Sequence, residues 1–526
     1  MGIYLNPGNA AFSEAVNSKI YVDKSELIIY TNSVANTEQK YICVSRPRRF
    51  GKSMTANMLA AYYSCSCDSK RLFYNLKIAS HESYEAYLNK SNVIFLNIQD
   101  FWSETHQADG MISLLQRSVI WELMGRWPDI RYFDKTNLVR VLLDIYTETG
   151  TQFIFIIDEW DCLFREQGEH DSQQVKYLDY LRSLLKDKPY VQMAYMTGIL
   201  PIKKYGSHSA LNMFDEFSMT EPKQLAEFVG FTESEVQILC KEFNMNFYDT
   251  KRWYDGYHFS GAEPAYSPRS VVASMLSGKF SNYWSQTETY EALKIYIEMN
   301  FDSLRDTIVQ LLADEKHKIN TRTFLNDMTT FKNADDVLTL LVHLGYLGYD
   351  DETEEVYIPN HEVATEFLNA IEGAGWGDVI CAVKNSDALL QAIWAEDEKA
   401  VATGIEKAHQ ETSLLEYNDE NSLACTLSLA LYSARRYYTI IRELPAGKGF
   451  ADLVFLPRMN HRDKPALIVE LKWNHSVRGA LAQILDREYP SALEGYTNNI
   501  ILVGINYDRK RKKHSCSIER FEIKNN

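Results

Sequence analysis

The chain has 526 residues, which exceeds one hydrophobic core and corresponds to about three domains. Apolar residues make up 45% and charged residues 24%, which excludes disordered and collagen-like chains. The 71 acidic and 55 basic side chains give a net charge of −16, which argues against nucleic acid covering the whole surface. Residues 431–526 alone carry a net charge of +7, so any nucleic-acid site is expected there.

The cysteine and hydropathy patterns indicate a compartment. The eight cysteines are sparse and lie mostly in apolar runs, unlike a secreted disulfide framework. No apolar run reaches the roughly 18 residues that a membrane span requires, and no signal-peptide pattern opens the chain. We therefore predict a cytoplasmic protein with no membrane partner.

Four short apolar runs in the first half have the composition of buried strands. They are YICVS at 41–45, NVIFLNI at 92–98, FIFIID at 153–158 and VQMAYMTG at 191–198. Longer helical patterns separate them, and this alternation is typical of a parallel sheet covered on both faces. The sequence predicts an α/β domain over residues 1–262.

Helical runs replace the strands after the turn-rich segment 253–268. The stretch 334–371 is predicted to form a helix, a short hairpin and a second helix, which resembles a winged-helix or lid module. A helical connector without binding activity is the alternative. The sequence predicts a mainly helical middle region over residues 263–375.

The third part of the chain begins beyond GAGWGD at 373–378, where helical runs continue to about Tyr438. Three predicted strands follow, FADLVFL at 450–456, ALIVELKW at 466–473 and NIILVGINY at 499–507. The polar turn PRMNHRDKP joins the first two, so they are predicted to pair as a hairpin. The sequence predicts a third domain over residues 376–526, with helices followed by strands.

The segment SRPRRFGKSM at 45–54 follows the first strand and opens a helix, a context in which backbone N–H groups hold phosphate. Lys52 would reach the β- and γ-phosphates, and the Ser53 hydroxyl would bind Mg²⁺. Arg46 replaces the usual first glycine of the motif G-x-x-x-x-G-K-[ST]. The arginines of this loop either contact phosphate or are solvated. The candidate nucleotide-binding residues of the loop are Arg49, Gly51, Lys52 and Ser53.

Two acids and a threonine at later strand ends complete the predicted nucleotide site. Asp158 is expected to bind Mg²⁺, and Glu159 is expected to orient the water that attacks the γ-phosphate. Thr197 is a candidate sensor of the γ-phosphate, with an unliganded strand-terminal turn as the alternative. Together these residues predict binding of ATP or GTP, and no arginine finger can be assigned.

Three charged residues in the last domain suit metal-dependent phosphodiester cleavage. Alternate strand residues share a face, so Glu470 and Lys472 point one way while Val469 and Leu471 point into the core. Asp452 on the paired strand would meet them across the hairpin. Asp452 and Glu470 would hold a divalent cation, and Lys472 would position its water or offset phosphate charge. Ordinary surface placement is the alternative.

Three further residues are candidates for supporting roles around these carboxylates. The helix predicted to contain Gln483 and Tyr489 would cover the site and either contact substrate or hold the acids. Glu420 opens the helical run NSLACTLSLALYSARRYY and would supply another carboxylate. The alternatives are a surface glutamine, a packed tyrosine and an acid favoured by the helix dipole.

In order along the chain, these motifs resemble bacterial and archaeal proteins that join an AAA-ATPase-like P-loop domain to a C-terminal PD-(D/E)XK nuclease-superfamily domain. The resemblance spans nearly the whole chain. It rests on YVDKSELI at 21–28, SRPRRFGKSM, IIDEWD, MTG, WYDGYHF at 253–259, FADLVF, IVELKW and the stretch from Gln483 to Tyr489.

The resemblance implies a P-loop nucleoside triphosphatase fold and a restriction-endonuclease-like core. The implied site residues are Lys52 and Ser53 in Walker A, Asp158 and Glu159 in Walker B, and Asp452, Glu470 and Lys472 in the nuclease core. Members of the family often carry a histidine four residues after the glutamate that matches Glu420, where this chain has Ala424.

These observations predict an ATP-binding, ATP-hydrolysing prokaryotic protein whose Mg²⁺- or Mn²⁺-dependent DNA nuclease domain is under nucleotide control. The alternative is a nucleotide-controlled switch or nucleic-acid-binding module with an inactive nuclease fold, favoured by Arg46, Ala424 and the acidic residues 1–375. A third hypothesis is a defence or mobile-element component that is silent without its protein partner. A homo-oligomer is compatible with the sequence.

Overall fold

The computed structural model describes residues 2–165, 171–202, 211–284, 290–299, 301, 303–326, 328, 330–411, 420–446, 449–493 and 499–522. Contacts divide the chain into two compact units, residues 1–288 with 318–364 and residues 289–317 with 365–526. The three-domain boundaries given above stay a prediction.

The elements below are numbered in chain order within the described residues. The strands are β1 (Tyr41–Ser45), β2 (Asn92–Asn97), β3 (Phe153–Asp158), β4 (Val191–Gly198), β5 (Asp215–Phe217), β6 (Phe231–Thr232), β7 (Ala265–Tyr266), β8 (His317–Lys318), β9 (Gly348–Asp350), β10 (Glu355–Tyr357), β11 (Tyr438–Ala446), β12 (Gly449–Pro457), β13 (Ala466–Trp473), β14 (Asn499–Asp508) and β15 (Lys513–Glu522). The α-helices are α1 (Ala10–Val16), α2 (Leu27–Val34), α3 (Lys52–Tyr63), α4 (Lys70–Phe73), α5 (Tyr84–Tyr87), α6 (Ile98–Thr105), α7 (Ala108–Arg126), α8 (Leu138–Thr149), α9 (Cys162–Arg165), α10 (Asp171–Leu185), α11 (Glu233–Glu242), α12 (Phe247–Tyr254), α13 (Pro268–Ser277), α14 (Tyr290–Ile297), α15 (Leu304–Leu312), α16 (Ala334–Leu344), α17 (His361–Gly373), α18 (Gly377–Trp394), α19 (Glu398–Glu411), α20 (Glu420–Ala430) and α21 (Val477–Asp486).

A five-stranded parallel sheet in the order β2-β3-β4-β1-β5 forms the centre of the first unit, which confirms the predicted fold class. Both β1 and β3 are buried along their whole length, as continuous apolar runs require in a sheet covered on both faces. Because β4 lies between β1 and β3, the carboxyl ends of these three strands meet at one edge. Ser45, Asp158 and Gly198 therefore end neighbouring strands.

The predicted helix, hairpin and second helix of the middle region are present as α16, β9 with β10, and α17. Gly345 ends α16 with φ 85°, and a Cβ there would lie 2.8 Å from the Pro47 side chain. Glycine therefore allows the helix end to pack against the loop after β1. Tyr257 of the WYDGYHF motif donates its hydroxyl to the Gly345 carbonyl at 2.6 Å, which fixes this approach.

The second unit contains a five-stranded mixed sheet in the order β11-β12-β13-β14-β15. The predicted hairpin is confirmed, since β12 pairs antiparallel with β13 with Leu453 opposite Val469. β14 then runs parallel to β13 and antiparallel to β15. Helices α18 to α20 pack on one face over an apolar core, and α21 packs on β13 and β14. No helix in the described part of the chain has the length and apolarity to cross a bilayer.

Candidate nucleotide and phosphodiester sites

The loop between β1 and α3 contains two residues in the left-handed backbone region. Gly51 precedes α3 with φ 94°, and an added Cβ would meet nothing within 4 Å. Glycine is therefore favoured here by the backbone conformation and not by crowding. Arg49 has φ 68°, a conformation that costs a non-glycine residue free energy. The two residues set Lys52 and Ser53 at the positive end of α3.

Lys52 is folded back over this loop. Its Nζ donates hydrogen bonds to the carbonyl oxygens of Arg46 at 3.0 Å and Pro47 at 2.9 Å. Burial lowers the pKa of Lys52, and the carboxylates of Glu159, Asp161 and Asp158 oppose that shift. The ammonium group thus lies between the loop and the acids that follow β3.

Arg46 has a role that the sequence analysis missed. Its guanidinium is fully buried, and Nη1 donates to the carbonyls of Ser45 and Phe217, each at 2.9 Å, and of Ser218 at 3.2 Å. Nη2 donates to the Leu225 carbonyl at 3.3 Å. Burial lowers the pKa of Arg46 to about 10, so the group stays charged at neutral pH. Arg46 is neither solvated nor exposed to phosphate; it ties the loop to β5 and the following turn.

Asp158 ends β3 and lies opposite Thr197 on β4. Burial raises the pKa of Asp158 to about 6, and a hydrogen bond from the Ser53 hydroxyl opposes that shift. This serine and aspartate are the types of side chain that hold Mg²⁺ beside a nucleotide in P-loop proteins. The structure therefore brings together the two predicted magnesium ligands.

Glu159 follows with φ 52°, and its Oε2 accepts a hydrogen bond from Arg165 Nη2 at 2.5 Å. Arg165 Nε also lies 3.5 Å from Asp161 Oδ2. Asp161 is fully buried and accepts from the backbone N–H groups of Ile199 at 2.9 Å and Leu200 at 2.8 Å. Arg165 and Asp161 were not predicted from the sequence; the available signal was an arginine four residues after the second aspartate of DEWD.

Thr197 lies on β4, between the strands β1 and β3 that carry the other candidate nucleotide-binding residues. It pairs with Val44 on β1 and with Asp158 on β3. Its side chain is fully buried, and Oγ1 has no hydrogen-bond partner within the described residues. A buried hydroxyl without a hydrogen-bond partner costs free energy, and a ligand oxygen that bonded to it would recover that free energy.

A cavity of about 710 Å³ lies beside the loop, within the usual size of ligand pockets. Residues 18–22, Lys24, and Arg269 and Val272 of α13 form part of its wall. The candidate residues that line it are Arg49, Gly51, Lys52, Ser53 and Glu159. Asp158 does not line the cavity, but its carboxylate contacts Ser53, which does.

The second site lies at the β12–β13 pair. Lys472 Nζ donates to Glu470 Oε1 at 2.9 Å, and Asp452 Oδ2 accepts from the Leu471 backbone N–H at 2.7 Å. Glu470 is only 1% exposed, although it occupies a strand whose neighbours Val469 and Leu471 point into the core. The predicted alternation is thus confirmed.

The predicted supporting residues also meet at Glu470. Gln483 Nε2 donates to Glu470 Oε1 and lies 3.3 Å from the Tyr489 hydroxyl. Tyr489 donates to the Phe450 carbonyl at 2.6 Å. The prediction of one helix for both residues is wrong, because α21 ends before Tyr489, which opens a short 3₁₀ turn.

A glycine sets the distance between α21 and the sheet. Gly504 on β14 lies opposite Glu470, and an added Cβ would be 2.9 Å from the Val477 carbonyl. Glycine therefore lets α21 approach closely enough for Gln483 to reach Glu470. Gly504 was not predicted from the sequence, because its contact joins β14 to an earlier helix.

Glu420 begins α20, and its side chain lies outside the described residues. Ala424, one turn later, is buried in the core of this unit. No group of three or more His, Cys, Asp or Glu side chains among the described residues is arranged to hold a metal. Asp452 and Glu470 offer two carboxylates, a donor set that suits Mg²⁺ because this ion retains several waters.

Two family models match the chain. One is described as a predicted AAA-ATPase and matches residues 8–207; the other describes the PD-(D/E)XK nuclease superfamily and matches residues 418–516. The chain therefore joins an AAA-ATPase-like domain to a PD-(D/E)XK nuclease-superfamily domain, which confirms the architecture indicated by the motifs.

A curated relative, an uncharacterized protein in the vnfD 5' region of Azotobacter chroococcum mcd 1, is 23% identical over 256 residues. The match spans about half of each protein, 47% of this chain and 47% of the relative. Among solved structures, the ORC2 protein of Aeropyrum pernix is 12% identical, with 68% of this chain and 98% of that chain covered and a TM-score of 0.30. AMPPCP-bound DnaA of Aquifex aeolicus is 10% identical, with 80% and 97% covered and a TM-score of 0.21.

Proposed function

We propose that this protein binds and hydrolyses ATP at the β1–α3 loop and cleaves DNA phosphodiester bonds at β12 and β13, with nucleotide state controlling cleavage. The observation that carries the nuclease assignment is the convergence of Lys472 and Gln483 on one oxygen of the buried Glu470. Burying a carboxylate in an apolar strand is costly unless it is paired or binds a cation. Asp452 on the adjoining strand supplies the second carboxylate.

In the nucleotide half, Lys52 would offset charge on the β- and γ-phosphates, and Ser53 and Asp158 would hold Mg²⁺. Glu159 accepts a proton from the attacking water or orients it, while the Arg165 guanidinium fixes the position of Glu159. Thr197 contacts the γ-phosphate through its hydroxyl. The cavity beside these residues supports nucleotide binding, because it joins the loop to Glu159.

In the nuclease half, Asp452 and Glu470 would hold a divalent cation, which would lower the pKa of a bound water and polarise the scissile phosphate. Lys472 would position the attacking water and offset the charge that develops on the phosphoryl oxygens. Hydrolysis joins the water oxygen to phosphorus and breaks the ester P–O bond, and the proton that the water gives up balances the proton that the leaving oxygen takes up. Gln483 holds the Glu470 carboxylate in place throughout.

A second candidate function is nucleic-acid binding by an inactive nuclease fold under nucleotide control. It is supported by Ala424, a small core residue at the position where a histidine is frequent in the family. Phosphate contacts release counterions, so this candidate predicts salt-dependent DNA binding without cleavage.

The two candidates separate in a cleavage assay with the full chain, Mn²⁺ or Mg²⁺, and circular, linear and single-stranded DNA. We expect cleavage by the wild type and a loss of about 10²-fold or more in Lys472→Ala, as for other groups that stabilise a transition state. Lys464→Ala, in the turn at the opposite end of β13, is the matched control and should retain activity. DNA binding with no cleavage by any form would favour the inactive fold.

A further inference from the structure

The turn between β14 and β15, together with the first residue of β15, carries an unbroken run of cations. The run consists of Arg509, Lys510, Arg511, Lys512 and Lys513, and all five are exposed. Within the described residues, Arg511 alone has an acidic partner within 4.0 Å, Asp508 at 3.8 Å, and it is still 83% exposed. Like charges this close repel one another and lower the stability of the folded chain, so the run does not serve folding stability. We call residues 509–513 the basic turn.

The basic turn is held in a defined conformation. Asp508 Oδ1 accepts hydrogen bonds from the backbone N–H groups of Lys510 at 2.9 Å and Arg511 at 3.1 Å. The Arg509 N–H donates to Asn474 Oδ1 at 2.8 Å, and the Asn474 N–H donates to the Tyr507 carbonyl at 2.8 Å. Asn474 directly follows β13, so the basic turn is fastened to the strand that carries the candidate active-site residues.

The pairing of β13 with β14 fixes where the cations lie. The two strands are parallel, with Glu470 opposite Gly504 and Lys472 opposite Asn506. The basic turn therefore extends from the edge of the sheet at which Lys472 lies. At about 3.3 Å per residue, Asp508 is about 13 Å beyond the Glu470 register, and the cations are about 13–20 Å beyond it.

We propose that the basic turn binds the phosphate backbone of the nucleic acid cleaved at Asp452 and Glu470, an inference that rests on the function proposed above. With about 3.4 Å per nucleotide along one strand of a duplex, the contacts fall roughly 4–6 base pairs from the scissile bond. Arg and Lys contacts to phosphate fix the register of a duplex and carry no sequence information. Binding at the basic turn is therefore independent of base sequence and weakens with salt.

The test is duplex binding by the full chain in EDTA, which prevents cleavage and so separates this inference from the nuclease assignment. The probe is a fluorescein-labelled 30-base-pair duplex, titrated by anisotropy at several salt concentrations. The test variant is Arg509→Gln, Lys510→Gln and Arg511→Gln combined. The control combines Lys384→Gln, Lys399→Gln and Arg462→Gln, exposed cations elsewhere on the same unit, and changes the net charge equally.

We expect the test variant to reduce the slope of log K against log salt by about 3, since each lost phosphate contact removes about 0.9. The control should change the slope by less than about 1. Equal losses in both variants, or no duplex binding by the wild type, would overturn the proposal. So would unchanged duplex binding by the test variant together with lost binding to vesicles of phosphatidylcholine and phosphatidylserine, because the turn would then be a membrane contact.

Discussion

Replacing Arg46 with glycine restores the first glycine of the usual phosphate-binding loop, yet we expect this change to destabilise the first unit. The buried guanidinium donates to four carbonyl oxygens, and three of them belong to Phe217, Ser218 and Leu225. A buried group that loses its partner costs about 1–3 kcal/mol. A typical hydrogen bond contributes about 1 kcal/mol net, so losing the four that Arg46 donates costs about 4 kcal/mol. This is a large part of the stability of a typical domain.

Differential scanning calorimetry of the full chain measures this effect. A loss of about 4 kcal/mol lowers the midpoint of the first unit's transition by roughly 6 °C, because the unfolding entropy of a unit of this size is about 0.7 kcal/mol/K. Arg48→Ala is the control. Arg48 lies two residues from Arg46 and its side chain is exposed, and substitutions at exposed positions usually change the free energy of unfolding by less than about 0.5 kcal/mol. Arg46→Lys keeps the charge without the forked donors and should be intermediate. An Arg46→Gly protein with an unchanged transition and tighter ATP binding would refute a structural role for Arg46.

Three further predictions concern other positions. Gly504→Ala should push α21 away and reduce DNA cleavage by about 10²-fold, whereas Gly479→Ala, at an exposed position of the same helix, should not; equal cleavage rates would contradict this. Burial, with His514 nearby, lowers the pKa of His409 to about 4. Between pH 6.5 and 4 the unfolded chain then binds more protons than the folded chain, so the free energy of unfolding falls as the pH is lowered. The urea midpoint should fall less over this range in His409→Gln than in the wild type, and an identical fall would show that His409 does not cause the loss of stability. Thr197→Val removes the partnerless hydroxyl and should stabilise the protein by about 1 kcal/mol while slowing phosphate release from ATP. Unchanged turnover would exclude the sensor role.

The sequence predicted the central strands because they are buried on both faces. The bounds of β1, β3, β4 and β13 match the predicted runs. By contrast, β11 and β15 were missed, because they lie at the edges of their sheet and mix charged residues into YTIIRELPA and KHSCSIERFE. An edge strand has a solvent-facing side and therefore lacks a continuous apolar run.

In the candidate sites, too, the contacts between residues close in sequence were predictable, and those between distant residues were not. Glu470 and Lys472 are two residues apart on one strand, so their shared face follows from local geometry. The acceptors of Arg46 at Phe217 and Leu225 lie 171 and 179 residues away, and no local pattern encodes that separation. The contact of Gly504 with α21 is likewise set by tertiary packing, which sequence spacing does not report.

Nucleotide control of cleavage is tested most directly by measuring the DNA cleavage rate of the full chain with and without ATP. The comparison includes Lys52→Ala and the control Lys135→Ala, an exposed lysine of the same unit. We predict that ATP changes the cleavage rate of the wild type and of Lys135→Ala, and that Lys52→Ala cleaves at one rate in both conditions. A wild-type rate that is the same with and without ATP, and equal to that of Lys52→Ala, would contradict control of the nuclease by nucleotide.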